Sequence, residues 1–111
     1  MDKETEQLLN QAQIYQQQIQ TILTQKNALA LELNEIKKAL EEIEKTNGKS
    51  VFKISGPILI QMDTKDAKKD LEEKENIINL RMKTIEKQES KLREKIEELR
   101  SKLTKSQPRV G

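Results

Sequence analysis

Few of the 111 residues carry side chains that perform reactions. With no His and no Cys, the chain offers no imidazole general base, no disulfide and no Cys or His metal site. Asp63, Asp66 and Asp70 stand close together, but their spacing matches no calcium loop. They sit where a helix begins, which gives them a capping and dipole-matching role. Gly56-Pro57 lacks the Gly-rich run and the Lys-Ser/Thr pair of a phosphate-binding loop, so it reads as a turn. Lys26, Glu75 and Glu89 interrupt otherwise apolar series, and a Lys and a Glu meeting there would specify helix register rather than transfer protons. Tyr15 either closes an apolar seam or contacts a ligand. No catalytic residue, cofactor or metal is expected.

Composition narrows the class further. The chain is 33% hydrophobic and 36% charged, and its aromatic content of 2% consists of Tyr15 and Phe52. That leaves room for one domain at most, 1–111, without a self-contained spherical core. Lys and Arg number 21 against 19 Asp and Glu, a net charge of +2 that excludes a general polyanion binder, so no nucleic-acid partner is expected. The eleven basic and eight acidic residues from 71 to 111 are interleaved, as on a solvated face. No apolar run of about 18 residues marks a membrane span, and no basic start followed by a hydrophobic stretch marks a leader. A cytoplasmic protein with no membrane partner is expected.

Two long helices must position these residues. Leu8, Ala12, Tyr15, Ile19, Ile22, Lys26, Leu29, Leu33, Ile36, Leu40 and Ile43 alternate spacings of four and three. A second series runs through Leu71, Glu75, Ile78, Met82, Ile85, Glu89, Leu92, Ile96, Leu99 and Leu103. A repeat averaging 3.5 keeps one seam against a partner helix, the pattern of a coiled coil. Thr46-Asn47-Gly48 closes the first helix, and Asp63-Thr64-Lys65-Asp66 opens the second. Pro108 ends the helical pattern. The predicted elements are a helix over about 5–46, a hairpin over about 50–63, a helix over about 65–105 and a flexible tail over about 106–111.

Between the helices the period changes to that of strands. Val51, Phe52 and Ile54 precede the Gly56-Pro57 turn, and Ile58, Leu59, Ile60 and Met62 follow it. Phe52 and Ile54 share one face of the first strand, Ile58, Ile60 and Met62 one face of the second, with Leu59 opposite them. A lone hairpin of this kind is marginal in water and leaves its edges unpaired, so these seven apolar residues are expected to assemble with other hairpins. The chain then returns as an antiparallel coiled coil, with residues 40–43 near 71–75 and Lys26 within about one layer of Glu89. Gln18 and Lys91 fall outside the seam and are expected to tolerate polar changes.

Tyr15-Gln16-Gln17-Gln18, Lys37-Lys38-Ala39-Leu40-Glu41-Glu42-Ile43 and the stretch from Val51 to Ile60, in that order, resemble the β class of prefoldin subunits over almost the whole chain. Asp66-Ala67-Lys68-Lys69-Asp70-Leu71-Glu72-Glu73-Lys74 and the stretch from Arg81 to Glu89 are similar to that family's returning helix. A single hairpin fits the β class, since the α class has two. The resemblance implies an ATP-independent cochaperone in which two α and four β subunits join hairpins into a β-barrel platform. Its coiled-coil tips hold unfolded polypeptide clients and deliver them to a group II chaperonin. On that reading the client-binding candidates are Leu8, Leu9, Ala12 and Tyr15 with Ile96, Leu99 and Leu103, near helix ends where fraying would expose seam positions. Low aromatic content, absent Cys and abundant Lys, Glu and Ile point to an archaeal source. A coiled-coil spacer or tether would share the heptads without needing the apolar hairpin, and an accessory subunit would dock the hairpin on another complex.

Overall fold

The computed structural model describes residues 2–46 and 50–106. The elements follow in the order α1 (Lys3–Lys45), β1 (Ser50–Ser55), β2 (Ile58–Asp63) and α2 (Thr64–Ser106). Two long helices joined by an antiparallel hairpin are the architecture the spacing predicts. The helix boundaries lie within two residues of the predicted ones. At the first, Asp2 occupies the N-cap, and its Oδ1 accepts a hydrogen bond from the Thr5 amide at 2.7 Å, so α1 starts two residues before position 5. That bond holds the Asp2 carboxyl below its ordinary range. At the other end, Thr46 folds back so that its hydroxyl donates to the Ile43 carbonyl at 2.8 Å. Asn47 and Gly48, named as part of the helix stop, and the tail beyond Ser106 lie outside the described residues.

The chain divides into two units, one formed by Ala28–Met82 and the other by Met1–Asn27 with Lys83–Gly111. In the first, Ile36, Ala67 and Ile78 are buried. Lys68 of α2 donates to Glu44 of α1 at 2.7 Å, so the end of α1 meets the start of α2, as antiparallel helices must. In the second, Ile19, Ile22 and Leu92 form a buried cluster against which Tyr15, Leu23, Ile85 and Ile96 pack. All of the seam positions named from the spacing are buried or half-buried. Ala67 departs from the predicted series, which would continue through Lys68. The register shifts at the first turns of α2, where the small Ala67 side chain lets the hairpin approach the helices.

The hairpin pairs Val51 with Met62, Phe52 with Gln61, Lys53 with Ile60, Ile54 with Leu59 and Ser55 with Ile58. Gly56 adopts φ 58° at the first central position of the two-residue loop. Pro57 fixes the second near −65°, which together define a type II′ turn whose twist matches the strands. A Cβ at Gly56 would meet nothing within 4 Å, so only backbone strain opposes another residue there.

Ile78 is 3% exposed, the most deeply buried apolar side chain described. Ile78→Ala is expected to lower unfolding stability by about 2–4 kcal/mol through lost burial and a residual cavity, read from urea or thermal unfolding. A loss below about 1 kcal/mol would mean that the seam collapses around the gap.

Candidate functional site

Cross-strand partners share a face, so the register sorts the hairpin's apolar residues. Phe52, Ile54 and Leu59 lie on one face, and Val51, Ile58, Ile60 and Met62 on the other with Lys53. The second face turns toward the helices, where Val51 and Met62 are half-buried. With Phe52, Ala39, Ile43, Ala67 and Leu71 they line an open, mainly apolar pocket of about 320 Å³. At its rim Lys53 pairs with Asp70 at 3.8 Å, fastening β1 to α2. Asp70 is therefore part of a strand-to-helix tie, Asp66 sits in the first turn of α2, and the acidic trio forms no metal cluster among the described residues.

Most of the hairpin's apolar surface is exposed among the described residues. Phe52, Ile54, Ile58, Leu59 and Ile60 are all exposed, Ile54 to 76%. Five large apolar side chains within nine residues, on both faces of a two-stranded sheet, form the densest uncovered apolar surface described. Isolated exposed apolar residues are ordinary, whereas a contiguous group marks an interaction surface. The strands' outer edges add unpaired amides and carbonyls of a kind that accepts further strands.

The helix-end residues behave differently. Leu8, Ala12, Tyr15, Ile96 and Leu103 are half-buried, Leu9 is 39% exposed, and Leu99 is buried at 7%. Tyr15 packs on the Ile19, Ile22 and Leu92 cluster with Ile96, so it closes the seam. Leu9 and Ala12 line a shallow surface depression with Gln13, Gln16 and Gln17. Leu99 reaches a ligand only if the helices part at that level.

The register pair is present and larger than the spacing alone indicated. Lys26 Nζ donates to Glu89 Oε1 at 2.8 Å. Arg93, one turn along, donates to Glu89 Oε2 through two guanidinium nitrogens at 3.0 and 2.8 Å. Glu89 is thus clasped on both oxygens with its side chain 13% exposed. The Lys26 hydrogen bond, then that of Arg93, hold its carboxyl below the ordinary 4.5. The i, i+4 spacing of Glu89 and Arg93 was the available signal for the third member.

Three comparisons bear on these surfaces. The family model for "Prefoldin subunit" matches residues 6–109. The prefoldin subunit beta of Thermococcus onnurineus (strain NA1) is 42% identical over 106 residues, covering 94% of this chain and 91% of its own. That of Archaeoglobus fulgidus is 38% identical over 97 residues, covering 86% and 84%. The crystal structure of the prefoldin beta subunit from Thermococcus strain KS-1 matches with a TM-score of 0.88 at 34% identity, over 96% of each chain. These relatives are archaeal.

Replacing both Lys26 and Glu89 with Leu is expected to keep or raise the thermal midpoint at neutral pH, since apolar residues of similar volume often substitute for such pairs without loss. The folded-state pKa of Glu89 is depressed, so its pairing stabilises the fold above pH 4.5 and is lost as pH falls through the lower folded value. The advantage of the double variant over the wild type should therefore grow on acidification, measured by thermal unfolding across pH 3 to 7. A large loss of stability at neutral pH with the helices still paired would contradict this account.

Proposed function

This chain belongs to the prefoldin family, in its β class, and we propose that it captures non-native polypeptides at the helix ends of an assembled complex and passes them to a group II chaperonin. The family is one of non-enzymatic chaperones whose members work as subunits of an oligomeric prefoldin complex. The proposed assembly contains two α-type subunits and four copies of this chain, joined through their hairpins, in the cytoplasm. Among the described residues no helix is long and apolar enough to cross a membrane.

The observation that carries the assembly role is the exposure of Phe52, Ile54, Ile58, Leu59 and Ile60 on a sheet of only two strands. Fully burying each such side chain contributes about 1.5–3 kcal/mol, so covering several of them supplies the driving force that the thin helical seam lacks. A coiled-coil spacer has no use for such a surface. The helix ends support the capture role through Leu9, Leu8 and Leu103, which sit at or near the surface of the unit that contains both helix termini. Each such site would hold an unfolded chain weakly, and several on one platform would hold it together, because tethering raises effective concentration.

Ile58→Asp with Ile60→Asp should leave helicity intact and dissolve the complex, as read by circular dichroism and native mass spectrometry. An intact oligomer would remove the hairpin from the interface. Trimming 1–12 and 99–111 should preserve the oligomer and sharply reduce suppression of client aggregation. Undiminished protection of a denatured client by the trimmed assembly would place the holding surface elsewhere.

A further inference from the structure

From Gln7 to Leu31 the chain carries one charged residue, Lys26, although 36% of the whole chain is charged. Eight glutamines fall from Gln7 to Gln25, those two included. A solvated helix does not need this composition: α2 stays polar with interleaved Lys, Arg and Glu. Along the start of α1, carboxamides stand where charges would serve solubility equally well.

The structure gives that surface a form. Gln17, Gln18 and Gln25 of α1 line one wall of a groove of about 690 Å³, and Lys91 and Lys95 of α2 line the other together with Gln88. Ile14, 46% exposed, stands within it, and the buried Ile22 and Leu92 form its base. None of the residues lining the groove is acidic. Among the described residues neither Lys91 nor Lys95 is engaged by a carboxylate, while nearby Glu89 is already held by Lys26 and Arg93.

We propose that this groove binds an extended acidic segment of a non-native polypeptide, with the glutamine carboxamides hydrogen-bonding its main chain and Lys91 and Lys95 pairing with its carboxylates. The inference rests on the client-capture reading and names the chemistry of the client. A glutamine side chain carries a carbonyl acceptor and two N–H donors, the same complement that a peptide group presents. Such groups recognise main chain without reading side-chain identity, which suits a partner of no fixed sequence. Eleven residue steps from Ile14 to Gln25 span about 16 Å of helix, the length of about five residues of extended chain. The exposed Ile14 adds an apolar contact, and the unopposed lysines give the groove one sign of charge, which selects for acidic segments. Gln18 and Lys91, which the heptad pattern alone treats as tolerant surface, become contact residues.

The test uses the assembled complex and two fluorescein-labelled peptides with identical apolar positions, one bearing Asp and the other Lys at the remaining sites. Fluorescence anisotropy should show the Asp peptide binding the wild-type complex about ten-fold more tightly. Lys91→Glu with Lys95→Glu should abolish or invert that preference, and Lys91→Arg with Lys95→Arg should retain it. Gln17→Glu, Gln18→Glu and Gln25→Glu together should weaken the Asp peptide by a similar factor, with helicity and oligomer mass unchanged. Equal affinity for the two peptides, or a preference indifferent to the lysine reversal, overturns the groove proposal while intact protection of a denatured client leaves capture standing. If the wild-type complex binds neither peptide and protects no client, both readings fall together.

Discussion

Apolar side chains spaced alternately by three and four residues can be buried only along a single line, and in this chain that line is shared by two antiparallel helices. No described side chain is less than 2% exposed, because each seam residue has a partner on one side and solvent close on the other. A seam this thin stabilises the helix pair but leaves nothing to spare for shielding what lies beyond it. The hairpin between the helices inherits that shortage. Val51 and Met62 reach the helices and are half-buried, whereas Ile54, Ile58 and Leu59 stay exposed among the described residues. The requirement for partners is therefore a consequence of the seam's geometry as much as of the hairpin's sequence.

The polar interruptions of the seam show the same economy. A Glu89 surrounded by apolar residues would be costly to desolvate. Placed against Lys26 and Arg93 it has ionic partners on both oxygens, one from the facing helix and one from its own. Lys68 with Glu44 and Lys53 with Asp70 repeat the arrangement where the hairpin joins the helices. These outer pairs are exposed and add little to stability individually. Lys68 with Glu44 ties the start of α2 to the end of α1, and Lys53 with Asp70 ties β1 to α2.

Much of this is legible in the sequence, because the seam's period is a property of sequence alone. The seam positions and the approach of Lys26 to Glu89 follow from spacing, and the turn at Gly56-Pro57 follows from its residue types. The heptad pattern begins at Leu8 and does not locate the start of α1, which is set by the Asp2 cap, a single side-chain bond that periodicity does not register. Ala67 was missed because a small residue at a register shift looks like a surface alanine. The cross-strand alignment that sets Leu59 beside Ile54 depends on the two-residue loop, and the Lys53 tie to Asp70 depends on where that alignment leaves the strand. The groove beside Ile14 was invisible for another reason: it is made by two segments more than sixty residues apart in sequence, and glutamines on one helix reveal nothing of the lysines opposite.

On this reading the apolar hairpin is completed only within a larger assembly. The most direct test is the native mass of the species formed when the chain is mixed with a prefoldin α-type subunit. One dominant complex with two α-type subunits and four copies of this chain is expected. Separate monomers of each at micromolar concentration would contradict it.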